Sequence, residues 1–403
     1  MKRIFHLIAA MVGLSLLVSA CSAGGISFLA TPEPSTITFA VPNQYRDYYT
    51  GKIAEFKKQN AKIEIELVSL DSSSSTPPDA AVIRWDQIYG SEGDRLAKTL
   101  DITPFLEQTK SFNRGDYFRG VLDPFTRDGK LKGLPTGVDP YVIFYNRDLF
   151  DQMGVAYPKP GWTWDDFKTT AIQLRDPIAR TYGYVSTLDY VDSLFFVYQH
   201  GGNLLNGDQP QLYTPEAAEA LEWYASLYTT SNVAPTQEQV RQDFGGDIRA
   251  GVMTGKVGMW FSPVSEIRGP QDQGWPFNLG VVPLPRDVTG FSVAQFEGLV
   301  IFQDTKSPQT AWQFVSFLID QPLPWVVPAR QSLAALPAYT NAMGKDQADA
   351  SMAAMNDASL ISTFDYRLMS GVIDVFGELT SAVIEGRATA EEALMAAQKK
   401  LTP

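Results

Sequence analysis

Cysteine is almost missing. The 403 residues contain one, Cys21, so no intrachain disulfide can form. Histidine is nearly as scarce, with only His6 and His200. A metal centre built on imidazole and thiolate is therefore not expected. A serine–histidine–acid triad would have to use His200, whose setting Gln199-His200-Gly201-Gly202 reads instead as a helix end followed by a glycine turn. Positive charge is in deficit: 33 Lys and Arg face 45 Asp and Glu, for a formal net charge of −12. That balance disfavours nucleic acid and anionic lipid as partners. After the first twenty residues no apolar run approaches the roughly 20 residues that a membrane helix needs. No internal repeat, long low-complexity segment or glycine-rich nucleotide loop is present, and no cofactor is expected.

What is present begins with a leader. Lys2 and Arg3 precede an almost uncharged apolar run over residues 4–18, broken by His6, Gly13 and Ser15. The run is short for a membrane span and reads as a secretion signal. Small residues then lead into the cysteine, and Val18-Ser19-Ala20-Cys21 resembles the lipobox of bacterial lipoproteins. The resemblance implies cleavage before Cys21 and a diacylglycerol on its thiol. The expected location is the outer face of the cell membrane or the periplasm, with membrane contact through that lipid alone. Losing Lys2 and Arg3 leaves the mature chain more acidic still. Residues 1–20 are thus a signal peptide, and the Ser/Gly/Pro-rich residues 21–35 a tether.

Globular patterning starts at Thr36. Ile37, Phe39 and Val41 alternate with polar or small neighbours and predict a strand. Tyr49, Ile53 and Phe56 recur at helical spacing within residues 45–60. Ile63, Ile65 and Leu67 alternate again, and Pro78-Asp79 introduces the apolar run Ala80-Ala81-Val82-Ile83. Strand, helix, strand, loop, strand is the pattern of a mostly parallel α/β sheet, which presents ligands at the carboxyl ends of its strands. Tyr141-Val142-Ile143-Phe144-Tyr145, Val257-Gly258-Met259-Trp260-Phe261, Leu279-Gly280-Val281-Val282 and Leu299-Val300-Ile301-Phe302 read as further strands. Thr163 ahead of Asp165 and Asp166 reads as a helix cap, Ser307-Pro308 as a second helix start, and Thr389 with Glu392 as a capping box before the tail helix. Trp162 and Trp164 flank the first of these starts and are expected to pack locally. Aromatic residues make up 12% of the chain, enough that some rings are expected to line a ligand site.

Several strings carry a family resemblance. Gly133-Leu134-Pro135-Thr136-Gly137-Val138-Asp139-Pro140-Tyr141 runs into Phe144-Tyr145-Asn146-Arg147-Asp148-Leu149-Phe150. Pro160-Gly161-Trp162-Thr163-Trp164-Asp165-Asp166-Phe167 follows, then Gln199-His200-Gly201-Gly202, Gly255-Lys256-Val257-Gly258-Met259-Trp260 and Leu279-Gly280-Val281-Val282-Pro283-Leu284-Pro285. In this order, over residues 36 to 401, they resemble the extracellular solute-binding proteins of ABC importers, of the maltodextrin-binding, sugar-binding type. The resemblance implies two α/β lobes in a periplasmic-binding-protein fold, three hinge crossings and a ligand cleft between the lobes. It implies crossings near Tyr145-Asn146, within 292–297 and within 323–328. Lobe one would be residues 36–144 plus 298–324, lobe two 145–292 plus 329–403, with hinge segments 293–297 and 325–328. The implied function is capture of a sugar or oligosaccharide by hinge closure and delivery to ABC permease subunits, by a protein expected to be monomeric.

Sugar recognition uses aromatic faces against apolar ring faces and planar carboxylates or amides against hydroxyl pairs. The resemblance implies a binding acid at Asp86, which follows the strand Val82-Ile83 beside Trp85, and a second at Asp139, with Tyr141 in the same string. Asp189-Tyr190 aligns with an acid–aromatic pair of lobe two. Trp260-Phe261-Ser262 ends a strand where the family continues toward a stacking tryptophan, and here the later position reads Val264-Ser265, so Trp260 and Ser262 are the candidates. Gln44, Gln295, Glu297, Arg330, Tyr366 and Arg367 complete the expected ligand-binding set by position. Two rivals remain: a secreted lipoprotein glycosidase using Asp86 and Asp139 as its paired carboxylates, and the same fold binding a polyamine, peptide or polyol phosphate. No catalytic motif accompanies the acids, and the expected protein is not an enzyme.

Overall fold

The computed structural model describes residues 35–70, 76–89, 94–109, 112–207, 209–267, 274–360 and 366–401. The leader, Cys21 and all of the tether except Ser35 lie outside the described residues. The first sheet is built as the alternation predicts. Ser35–Val41 pairs in parallel with Ile63–Ser69, from Ser35 opposite Ile63 to Val41 opposite Ser69, and with Ala80–Arg84 on its other side. The helix Arg46–Gln59 makes the crossover and buries Tyr49 and Phe56. Phe39 beneath it packs edge-on against Tyr49 and Phe314, which the helix Pro308–Leu318 supplies. Next in the sheet come Ser292–Ile301 and Leu134–Asn146, each antiparallel to its neighbour.

Leu134–Asn146 is the longest strand and is shared by both lobes. Its first half pairs with Ser292–Ile301, through Pro140 opposite Ala294. Its second half pairs with Val257–Pro263, from Tyr141 opposite Pro263, and with Leu279–Val282. Tyr182–Val185 extends this second sheet in parallel beyond Val257–Pro263. Strand periodicity divides the side chains of that half. Ile143 and Tyr145 join a core with Phe196, Leu221 and Phe261, whereas Val142 and Phe144 join Trp260 and Tyr339 on the other face. The first lobe has its own core around Phe39, Val82, Val138, Phe296 and Phe314.

These memberships move two of the expected crossings. The chain changes sheets at Pro140 and Tyr141, not near Tyr145-Asn146, and residues 141–144 pack in lobe two. Asn146 instead caps the helix Arg147–Met153, its Oδ1 accepting the Leu149 N–H. Leu323, Trp325 and Val326, expected at the third crossing, and Ala329, expected in lobe two, lie in the first core. The chain reaches lobe two only by Tyr339, after Arg330 has paired with Tyr117. Phe291 packs on the second lobe's core and Ala294 lies in the first.

Close approach explains one glycine of the crossing string. A Cβ on Gly137 would sit 2.3 Å from Val326 Cγ2, so segment 323–326 can cover the shared strand only where a side chain is absent. The caps form largely as the sequence indicates. Thr163 and Asp166 make a reciprocal capping box, and so do Thr389 and Glu392. Ser307 precedes Pro308 at a helix start but makes no side-chain cap. Trp162 and Trp164 are buried, donating to Pro283 O and Gln199 Oε1. His200 ends the helix Ser193–Gln199 before Gly201 at φ 90°, and its ring lies between Asp287 and Glu219.

Candidate functional site

Where the chain passes between sheets, Asp139 stands opposite Gln295 and Gly137 opposite Glu297. Arg84 stands opposite Glu297 from the other side. Directly opposed residues of an antiparallel pair share a face, so Arg84, Asp139, Gln295 and Glu297 project together. The reverse face carries Val138, Ala294 and Phe296, all sunk in the first core. Tyr141 follows Asp139 on the projecting face, and Gln295 Nε2 donates to its hydroxyl at 3.3 Å. Tyr141 and Gln295 are half-buried on this face, which forms a polar floor where the two sheets meet.

The two acids of the floor are unlike surface carboxylates. Asp139 is 9% exposed, and its Oδ1 accepts the Ser265 N–H at 2.9 Å, tying the turn Val264–Glu266 of lobe two to the shared strand. Burial pushes its carboxyl up to about 7; hydrogen bonds from Ser265 pull the other way, and Glu266 adds to the rise. Glu297 is 5% exposed and is also pushed up to about 7, first by burial and then by the charge of Asp139. Tyr45, Arg84 and Trp325 oppose that rise. Glu297 Oε1 is sealed without a hydrogen-bond partner, as is Trp325 Nε1. Tyr45 lies flat on Trp325, with ring centroids 4.7 Å apart at 13°.

The remaining candidates divide. Asp86 lies in the short helix Trp85–Tyr89 at the carboxyl end of Ala80–Arg84, with Trp85 beside it against the first core. Arg84 grips Asp86 through Nε at 3.3 Å and Nη2 at 2.8 Å, so both carboxylate oxygens already have donors. Gln44 is exposed on the turn Asn43–Tyr45. In lobe two a pocket of about 390 Å³ opens at the carboxyl ends of Tyr182–Val185 and Val257–Pro263. Asp189, Asp247, Arg249, Glu266, Trp260 and Trp275 contribute to its lining. Asp189 and Tyr190 both adopt left-handed backbone, at φ 49° and 69°. That turn leaves Asp189 exposed while Tyr190 is buried edge-on against Tyr228.

Some expectations are corrected. Trp260 is 1% exposed, wedged among Phe144, Trp275 and Phe277, so it is a core ring that only backs the pocket. Ser262 is buried opposite Val142. Arg330 belongs to a structural ion-pair group of lobe one: Nε donates to Asp116 at 2.8 Å and Nη1 to Asp320. Tyr366 and Arg367 open the helix Tyr366–Ile384, and their side chains lie outside the described residues. Tyr45, Arg84, Arg249, Glu266, Trp275 and Trp325 were not singled out by sequence. Arg84 and Tyr45 each adjoin a residue that was. Asp192 was also missed; it is fully buried and accepts from Tyr184, Ser186 and Tyr224, and burial raises its carboxyl. Among the described residues no group of three or more His, Cys, Asp and Glu is arranged to hold a metal ion.

Two α/β lobes joined through shared strands, with polar and aromatic groups where they meet, define a two-lobed binding-protein fold. Solved structures agree on that fold. The sugar-binding protein MalE of Xanthomonas citri matches with a TM-score of 0.72 at 20% identity, over 91% of this chain and 96% of that one. An ABC substrate-binding protein of Listeria monocytogenes, solved with cycloalternan, matches with a TM-score of 0.71 at 23% identity, over 91% and 97%. The family model for bacterial extracellular solute-binding proteins matches residues 52–323, and the chain belongs to that family. A putative binding protein of Brucella abortus is 24% identical over 325 residues, 77% of this chain and 76% of that protein. An arabinooligosaccharide-binding protein of Bacillus subtilis is 26% identical over 224 residues, 49% of each. Among the described residues no helix is long and apolar enough to cross a membrane.

Proposed function

We propose that the protein captures a carbohydrate outside the cytoplasm and hands it to the permease subunits of an ABC importer, as a monomer held to the membrane by a lipid on Cys21. The observation that carries this reading is the floor of the cleft. Asp139, Tyr141 and Gln295 place a carboxylate, a phenol and an amide side by side on the two strands that join the lobes. Planar acceptors beside an aromatic ring suit the alternating polar and apolar faces of a sugar. The names of relatives from Bacillus subtilis, arabinooligosaccharide-binding and maltodextrin-binding, support the solute class.

The lobes in this reading are residues 35–140 with 294–330, and 141–291 with 337–401 apart from the strand Ala358–Leu360. Closure swings them about connections at 140–141, 291–294 and 331–336. A solute drives closure only by binding the closed form better than the open one. Micromolar affinity, about −8 kcal/mol, is enough to hold a closed form that lies a few kcal/mol higher. The protein binds and releases; it transforms nothing.

A thermal-shift screen against mono- and oligosaccharides tests the reading, since a ligand of the folded state raises the melting temperature. At least one carbohydrate should raise it and, at saturation, reduce the radius of gyration in solution scattering. Sugars recovered after prolonged incubation should be unchanged. Cys21→Ser should release the protein from membranes or leave its leader uncleaved. A panel without a single binder among carbohydrates would overturn the solute class, and hydrolysed products would overturn the binding role.

A further inference from the structure

The turn that carries Thr187 and Asp189 to the lobe-two pocket is both strained and heavily anchored. Asp189 and Tyr190 are consecutive, non-glycine and left-handed, and no other such pair occurs among the described residues. An aspartate tolerates that backbone, but a tyrosine is strained there, and such strain persists only where the surroundings over-determine it. Here they do. Ser186 Oγ accepts the Tyr190 N–H at 3.0 Å and the Leu188 N–H at 3.4 Å, closing the turn from its first residue. That hydroxyl in turn donates to Asp192 Oδ1, while Asp192 Oδ2 accepts from Tyr184 and Tyr224. Tyr224 also bonds Tyr228, the ring on which Tyr190 rests edge-on. Ser193 Oγ donates to Tyr190 O at 2.7 Å, and Thr187 Oγ1 to Phe261 O at 2.5 Å. Behind the turn, a Cβ on Gly377 would sit 2.9 Å from Asp189 O. Asp192 and Ser186 are buried, whereas Thr187 and Asp189 are exposed at the pocket.

We propose that the Asp192–Ser186 pair is the positioning element of the lobe-two site: it holds the left-handed turn so that Asp189 and Thr187 meet the hydroxyls of a bound sugar. This rests on the carbohydrate reading and deepens it. Neither Asp192 nor Ser186 lines the pocket, so both act through the turn. The chemistry follows from the hydroxyl, which has one proton and two lone pairs. With the proton committed to a buried acceptor, both lone pairs face the N–H groups of the turn. Without that acceptor the hydroxyl is free to rotate, and the turn relaxes toward ordinary backbone that aims Asp189 elsewhere. A turn fixed before binding loses little conformational freedom when the solute arrives, so strain held in the free protein is returned as affinity.

The experiment combines calorimetric titration of the full chain with maltotriose, arabinotriose and galactobiose, and amide hydrogen exchange without ligand. Asp192→Ala strips three buried donors of their acceptor and endangers the fold, so Ser186→Ala carries the test. It cuts the link to the turn and leaves the carboxyl with its two tyrosine donors. In the free protein it should speed exchange at Leu188 and Tyr190 at least about tenfold and leave the amides of Val257–Pro263 unchanged. It should weaken the best-bound sugar at least about fivefold. Asp189→Asn should weaken that sugar about tenfold, and the double variant should stay within about twofold of Asp189→Asn, because Ser186 acts through Asp189. Asp189→Gly suits the left-handed backbone, so it should melt at or above the parent's temperature while binding weakly. Thr163→Ala, a cap that does not line the pocket, should melt lower with affinity unchanged. A sugar that binds the parent and Ser186→Ala equally would overturn the positioning role and leave carbohydrate capture standing. Fully additive losses, or Asp189→Gly binding like the parent, would do the same. Failure of the parent to bind all of these sugars would overturn the carbohydrate reading and the positioning role with it, whatever the exchange rates show.

Discussion

Glu297 makes the ligand-free protein sensitive to pH in a direction that can be worked out. Its carboxyl ionises near pH 7 in the folded chain against an ordinary value of 4.5. Between those values the unfolded chain has released a proton that the folded chain still holds, so stability falls as pH rises. Below the lower value both states are protonated and the full stability is present. Above about pH 7 the carboxylate is ionised in both states, and the penalty is complete. The difference of about 2.5 units corresponds to about 3 kcal/mol. Glu297→Gln keeps the shape and removes the titration. Urea unfolding of the ligand-free variant should therefore match the parent near pH 4.5 and exceed it by up to about 3 kcal/mol at pH 8. Asp139 shares the field of Glu297, so its own carboxyl should titrate at lower pH in the variant. A stability profile for Glu297→Gln that runs parallel to the parent from pH 4.5 to 8.5 would refute the reasoning, because it would mean that the acid is solvated or already paired.

Gly137→Ala should cost about 1–3 kcal/mol, because its Cβ would overlap Val326 Cγ2, and the double variant with Val326→Ala should recover part of that loss in a mutant cycle. Asp192→Ala removes the acceptor shared by Tyr184, Ser186 and Tyr224 and should destabilise by about 3–5 kcal/mol on denaturant unfolding; Tyr224→Phe should cost about 1–2 kcal/mol. Arg330→Ala should lower stability through Asp116 and Asp320 while leaving solute affinity unchanged in titration, the reverse of what a cleft residue would give. Thr163→Ala should lose about 1 kcal/mol from the capping box, again without change in affinity.

Local chemistry was legible in the sequence wherever the deciding partner is close in the chain. Alternation placed the strands around residues 37–41 and 63–67, an apolar run placed the one beginning at Ala80, and short-range cap patterns placed the helix starts at Thr163 and Thr389. Continuous apolar runs were less informative. Val257–Pro263 is buried on both faces, so its pattern carries no sign of which rings look outward, and Trp260 falls on the core side. The crossing near Tyr145-Asn146 was implied by the family resemblance; residues 141–145 read as one buried strand, and pairing with Pro263 and Ala294 reveals where the chain changes sheets.

Charged side chains show the limit most clearly. Residue type and approximate place identified Asp86, Asp139, Glu297 and Arg330 as polar groups near the crossings, but type does not say whether a partner waits elsewhere. Arg330 finds Asp116 at a sequence distance of 214 residues, and Asp139 finds the Ser265 N–H at 126. Asp86 is held by Arg84, two residues away, so even a local pair can remove a candidate. What separates a recognition acid from a structural one is therefore the unmatched remainder after these pairings. Arg330, Asp116 and Asp86 are satisfied within the fold. Glu297 is buried with one oxygen, Oε1, unpartnered, and Asp189 is exposed at the lobe-two pocket that Arg249 also lines. A solute that closes the lobes has most to gain where the fold itself leaves charge and hydrogen-bonding capacity unanswered.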